Sequence, residues 1–226
     1  FKVGAGEMKV GSYTGNGTSQ SVTGQGFAPK WVIVMSASAS SGEAVHRSST
    51  MSTTFFFNAE SGGTNRIESL DADGFSVGNS GRVNTNLTTY HYVSFGETTG
   101  KMKVGSYTGN ATDNRSITGA GFQPAYAIVR GEGLRETVHK PASTGATTDT
   151  TLFFRTDVNK TNKIQALEAD GFQVGTDTIV NGDAGNAITY HWIVFNFPVP
   201  QSLTGAITDT ATVRDAIAAA IGMSRT

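Results

Sequence analysis

A nine-residue stretch, Met8-Lys-Val-Gly-Ser-Tyr-Thr-Gly-Asn16, returns unchanged as Met102-Lys-Val-Gly-Ser-Tyr-Thr-Gly-Asn110, and Tyr90-His91 near the end of the first copy returns as Tyr190-His191 near the end of the second. This internal duplication constrains the fold more than any other feature, because whatever one copy forms the other must form as well. A repeat of this length far exceeds a solenoid unit, so each copy is expected to be a domain rather than a hairpin or a helix pair. The expected units are residues 8–97 and 102–197, joined by the short polar linker Gly96-Glu-Thr-Thr-Gly100, which should allow a preferred but not rigid angle between them.

Insertions collect where no packed element is disturbed, so drift in the repeat offset marks loops. The offset is 94 at Met8/Met102 and 95 at Phe27/Phe122, which places an inserted residue near Asp113-Asn114 and reads 19–21 as loop. It is 93 at His46/His139 and 97 at Phe57/Phe154, so the stretches after Met35 and after Arg47 are variable loops. From Phe57/Phe154 to Val83-Asn84/Val180-Asn181 it holds at 97, the mark of a packed core unit, before reaching 100 at Tyr90/Tyr190. Extended backwards, Phe1 stands before Met8 as Phe95 stands before Met102, so residues 1–7 read as the terminal strand of a preceding repeat or a linker.

Within each copy the periodicity is that of strands. Lys30-Trp-Val-Ile-Val-Met35 and Ala125-Tyr-Ala-Ile-Val-Arg130 are short β-branched and aromatic runs that suit a strand buried on both faces. Thr53–Phe57 and Thr150–Phe154 repeat the pattern, while Thr89–Phe95 and Thr189–Phe195 alternate as a strand with one wetter face does. Thr14-Gly-Asn-Gly17, Asp73-Gly74, Asp170-Gly171 and Asn181-Gly182 supply turns. The expected class is all-β: two tandem antiparallel β-sandwich, jelly-roll-like domains. The 198–226 segment differs. Thr212-Val-Arg-Asp215 before Ala-Ile-Ala-Ala-Ala-Ile221 reads as a capped short helix, or as a stalk segment of the Thr-Asp-Thr-Ala-Thr-Val type.

Charge and composition exclude several function classes. Charged residues make up 15% of the chain and the formal net charge is −1, so neither nucleic acid nor an anionic membrane is an expected partner. With no cysteine there is no disulfide scaffold, zinc ribbon or thiol chemistry. No apolar run approaches the ~20 residues that span a bilayer. Low charge with abundant Ser, Thr, Gly and Asn is the profile of exposed appendage proteins.

The order Ser-Tyr-Thr-Gly-Asn, Gly-Phe-x-Pro-x-Trp/Tyr-x-Ile-Val, Asp-Gly-Phe-x-Val-Gly, Val-Asn and Tyr-His-Tyr/Trp occurs twice across residues 8–197. It resembles a repeat domain of tailed-phage tail fibres and related virion appendage proteins. The resemblance implies a non-enzymatic structural or adhesive β-sandwich, a virion or extracellular location, and host attachment or particle decoration as the role. Expected partners are copies of itself and other virion or surface-filament proteins, with a host-surface glycan as a further partner.

Candidate sites are few. His46 and His139 follow Glu43 and Glu136 by three residues, a spacing that puts strand side chains on opposite faces and argues against a shared Glu–His site. His91 and His191 read as hydrogen-bonded strand histidines. Asp71-Ala-Asp73-Gly74 and Glu168-Ala-Asp170-Gly171 resemble the start of a calcium loop but lack the remaining ligands, and read as tight turns. No catalytic set, metal signature or cofactor motif is present. Trp31 and Tyr126 read as core. Tyr13 and Tyr107, near an exposed turn, are the aromatic candidates for ligand contact, with His46 and His139 beside them. Three functions fit: the appendage module, a carbohydrate-binding module, and a prokaryotic surface-filament subunit in which residues 1–7 complete a neighbouring sandwich by strand addition.

Overall fold

In the computed structural model the described residues are 8–38, 43–155, 158–182, 185 and 187–196. The segments 1–7 and 198–226, and with them the strand and helix or stalk expected there, lie outside the described residues. The first copy contributes strands β1 (Met8–Thr14), β2 (Gln20–Thr23), β3 (Trp31–Ser36), β4 (Val45–Ser48), β5 (Phe55–Phe56), β6 (Ile67–Asp71), β7 (Gly74–Val77) and β8 (Thr89–Phe95), with a helical turn α1 (Gly81–Asn84) before β8. The second repeats them as β9 (Met102–Thr108), β10 (Arg115–Thr118), β11 (Tyr126–Gly131), β12 (Thr137–Pro141), β13 (Leu152–Phe153), β14 (Ile164–Glu168), β15 (Gly171–Val174) and β16 (Thr189–Phe195), with α2 (Thr178–Asn181) before β16.

Each copy forms a five-stranded and a three-stranded antiparallel sheet, in the orders β1-β8-β3-β4-β5 and β2-β7-β6, then β9-β16-β11-β12-β13 and β10-β15-β14. The fold is therefore all-β, a tandem of antiparallel sandwiches, as the periodicity predicts. First-with-last and second-with-seventh pairings (β1–β8, β2–β7) wrap the chain as in a jelly roll, whereas β3–β4 and β6–β7 are hairpins. The stretch read as loop at 19–21 is strand from Gln20 onward, because Gln20 pairs with Val77. The second copy takes up its extra residue before β10, which opens at Arg115.

Side chains alternate across each five-stranded sheet, and both faces are covered in the middle of the molecule. Val32, Val34, Val45, Tyr90 and Tyr92 point inward to Val22, Phe75 and Val77 of the small sheet. Ala127, Val129, Trp192 and Val194 do the same toward Ile117, Phe172 and Val174. The alternate residues make a third core between the copies: Trp31, Met51 and Phe55 pack with Met102, Val104, Ile128, Ile193 and Phe195. The two large sheets thus lie back to back. Burial of β3 and β11 on both faces, expected from their unbroken apolar runs, has this cause. The linker is a tight turn, with Lys101 and Met102 N–H donating to Thr98 O. The angle between the copies is set by the apolar contact rather than left to the linker.

Two further devices recur. Asn84 and Asn181, buried at the ends of α1 and α2, each tie the turn after β1 or β9 to the turn after β7 or β15. The Asn84 amide oxygen accepts from Asn16 N–H at 2.8 Å and Gln20 Nε2 at 2.7 Å, and its NH2 donates to Gly78 O at 2.8 Å. Asn181 accepts from Asn110 N–H and donates to Gly175 O in the same way. The Asp73 carboxylate accepts from Gly24 N–H at 3.0 Å and Gly26 N–H at 2.6 Å, and Asp170 does likewise with Gly119 and Gly121. These carboxylates stitch the turn after β2 or β10 to the adjacent hairpin. Gly74 (φ 148°) must be glycine, because a Cβ there would stand 2.0 Å from Val22 O.

Candidate functional site: an aromatic seam between the copies

His46 and His139 sit on matched strands β4 and β12, and back-to-back packing of the sheets brings both to the seam. His46 lies over Phe57 at 4.4 Å between ring centroids and His139 lies over Phe154 at the same distance. The two phenylalanines, themselves counterparts, touch at 4.7 Å. Trp31 and Tyr126 close the ends of the row, Trp31 edge-on to His46 and Tyr126 stacked on His139. Duplication followed by face-to-face docking produces this row of paired equivalents, and Phe95 against Phe195 at 5.3 Å is another such pair.

The histidine nitrogens have partners within the row. Trp31 Nε1 donates to His46 Nδ1 at 3.2 Å, which leaves the proton on His46 Nε2, 3.4 Å from Thr137 Oγ1. Tyr126 Oη and His139 Nδ1 are hydrogen-bonded at 2.8 Å. Burial, with the Arg130 charge adding to it, pushes the His46 pKa down to about 3, and burial lowers His139 as well. Both imidazoles are neutral packing groups at neutral pH. Neither Glu43 nor Glu136 engages its histidine: Glu43 accepts from Asn58 Nδ2 at 2.8 Å and Glu136 pairs with Arg155 at 2.5 Å.

Beside the phenylalanine pair the seam opens into a cavity of about 390 Å³ lined by Ile33, Ala44, Phe57 and Phe154, with Glu43, Asn58 and Arg155 supplying its polar groups. It is about half open to solvent, with an apolar, aromatic wall and a few polar groups. Deeper in the seam lies a polar cluster that sequence reasoning missed. Arg130, fully buried, donates from Nη1 to Gly131 O at 2.6 Å and from Nη2 to Glu60 O at 2.8 Å, and sits 4.6 Å above the Phe55 ring. Burial, reinforced by the Arg135 charge, lowers its pKa to about 10. His191 bonds Thr50 Oγ1 at 3.1 Å and Glu132 Oε1 at 3.4 Å. One signal for this cluster is present in the sequence: Arg130 stands where the first copy has Met35, an unexpected cation in an apolar strand.

The aromatic candidates Tyr13 and Tyr107 are not brought to the seam. Each points into its own sandwich, stacks on Tyr90 or Tyr190 at 5.4 and 5.3 Å, and donates its hydroxyl to Val83 O or Val180 O. Their rings are half-buried and committed to packing. Trp31 is buried in the inter-copy core, with Tyr126 packed against it. Among the described residues no group of three or more His, Cys, Asp or Glu gathers into a metal-binding arrangement, and no helix is long and apolar enough to cross a membrane.

Fold and seam together define a tandem β-sandwich protein whose two units share an aromatic interface. The chain belongs to the family described as Domain of unknown function (DUF7483), whose family model matches residues 5–137. No curated protein and no solved structure matches it. The matched span takes in all of the first copy from β1 to β8 and continues through β11, so it includes members of the inter-copy core from both copies, Trp31 and Ile128 among them.

Proposed function

We propose that this chain is a non-enzymatic structural and adhesive module of a virion appendage, a tail fibre or decoration protein, located outside the cell and assembling through β-sandwich faces. The observation that carries this reading is the inter-copy core: the large sheets use their outer faces to bind another copy of the same unit, with eight buried side chains from Trp31 to Phe195. A surface that has served once to join sandwiches is suited to join more of them, and many weak contacts in series give strong avidity. The motif order that resembles tail-fibre repeats and the low charge support the setting. Electron microscopy of the native source particles tests it. Regular lattice or fibre density carrying this chain is expected; isolated two-lobed particles would overturn the reading.

The seam cavity favours a second reading, a carbohydrate-binding module. Phe57 and Phe154 supply an apolar wall for the apolar side of a sugar, and Glu43, Asn58 and Arg155 offer hydrogen bonds beside it. A glycan array should then show binding that Phe154→Ala abolishes, while Tyr13→Phe leaves it intact because Tyr13 faces its own core. An array without hits removes this reading.

A further inference from the structure

Because one unit is written twice, each charged side chain of one copy has a counterpart in the other. On the second copy Lys163 lies above the Phe153 ring, 5.9 Å from its centroid, and its ammonium pairs with the Asp177 carboxylate at 2.6 Å. Lys163 is 5% exposed, so the carboxylate satisfies a charge that burial would otherwise penalise. At the constant offset of 97, the first copy has Arg66 for Lys163, Phe56 for Phe153, Ser80 for Asp177 and Arg82 for Ile179. It thus has two cations and no carboxylate where the second copy has one of each.

The first copy is shaped to hold both guanidinium groups. They lie over the buried Phe56 ring, Arg66 at 4.2 Å from its centroid and Arg82 at 5.1 Å. Gly63 makes room for the Arg66 fork, since a Cβ there would stand 2.7 Å from Arg66 Cζ. The second copy has Lys160 at that place and carries the slimmer lysine as its cation. Burial lowers the Arg66 pKa and the Arg82 charge lowers it further, so the two groups feel each other. Among the described residues the Arg66 guanidinium makes no hydrogen bond, and no carboxylate lies within ion-pair distance of it. Its Nη1 is closed off from water without a partner, which leaves the Nε–Nη2 edge to an outside acceptor. Glu60 acts on Arg66 only from beyond ion-pair distance and accepts from Asn58 Nδ2 at 3.1 Å. Both arginines are half-buried, so the place is reached from solvent.

We propose that Arg66 and Arg82 form a binding site for the carboxylate of an incoming ligand, an acidic sugar, in the place that Asp177 fills from within on the second copy. The planar fork of an arginine takes a carboxylate through two parallel hydrogen bonds, and a second guanidinium beside it adds charge. The low net charge of the whole chain does not oppose this, because a local pair of cations does the recognising. The carboxylate site is argued from the duplication alone; the acidic-sugar class rests on the adhesive reading.

The test is a titration of the full chain with sodium glucuronate, followed through the Nε–Hε resonances of Arg66 and Arg82, with glucose, acetate and inorganic phosphate run at matched ionic strength. A saturable shift of both resonances with glucuronate, and none with glucose, is expected. Arg82→Gln should weaken binding at least about tenfold. Ser80→Asp supplies the carboxylate from within, as Asp177 does, and should abolish binding while the melting temperature holds or rises, because aspartate caps a helical turn as well as serine does. The proposal is overturned by the lack of a saturable shift with glucuronate, by a response to phosphate alone, or by glucuronate binding that survives Ser80→Asp or Arg82→Gln in folded protein. Acetate binding as tightly as glucuronate would uphold the carboxylate site and overturn the acidic-sugar class. Phe154→Ala should leave glucuronate binding unchanged, which separates this site from the seam cavity; binding lost with that substitution would overturn the placement at Arg66 and Arg82.

Discussion

At the scale of single residues, the duplicated motifs are places where backbone geometry and hydrogen bonding leave little choice. The repeated Gly in Lys-Val-Gly-Ser-Tyr is one. A Cβ at Gly105 would stand 2.1 Å from the Trp192 ring, and one at Gly11 would stand 2.5 Å from Tyr92 Oη, so the glycine makes room for the aromatic on the neighbouring strand. Gly105→Ala is expected to destabilise the fold by about 1–3 kcal/mol through overpacking, read as a lower urea midpoint at unchanged slope. Asp73 is another. Backbone N–H donors, Gly26 first, hold its carboxyl below the ordinary 3.8. A depressed carboxyl stabilises the fold above its unfolded pKa, and that contribution is lost as pH falls below 3.8 through the folded value. The wild-type melting temperature should therefore drop more steeply than that of Asp73→Asn over this acid range, and the gap between them should narrow as pH falls. Parallel curves would show that these hydrogen bonds do not contribute to stability.

At the scale of elements, the seam strands convert neutral histidines into packing groups, and this has a pH signature. His46, His139 and His191 all have pKa values lowered, burial being the largest cause in each. Below the ordinary 6.5 the unfolded chain takes up protons that the folded seam refuses, so stability is complete above 6.5 and declines as pH falls toward about 3. For the fully buried His46 the decline approaches about 1.4 kcal/mol per pH unit. His46→Phe keeps a ring on Phe57 and should flatten this decline between neutral and mildly acidic pH, as measured by urea midpoints. A variant with the wild-type slope would place the acid sensitivity elsewhere.

At the scale of the whole molecule, the inter-copy core makes the tandem the stable unit. Residues 102–196 produced alone would expose Met102, Val104, Ile128, Ile193 and Phe195, all at most 7% exposed in the intact chain. The isolated second copy should bind ANS strongly and aggregate at concentrations where the tandem chain stays soluble; a soluble fragment that binds no dye would show the core to be dispensable. Strand content, the repeat, and the double-sided burial of β3 and β11 were legible because they rest on local periodicity and on one unit written twice. The sequence by itself determined that the chain is a β unit made two times, with turns at Asp73-Gly74 and Asp170-Gly171. It did not reveal that Tyr13 turns into its own core, that the linker leaves the angle to an apolar contact, or that His46 and His139 meet across Phe57 and Phe154. Those are pairings between residues about a hundred positions apart, and two identical strands have no local feature that says which outer face will be covered. Only the docking of the sheets decided it, burying Val104 and Arg130 while leaving Val10 and Met35 in water.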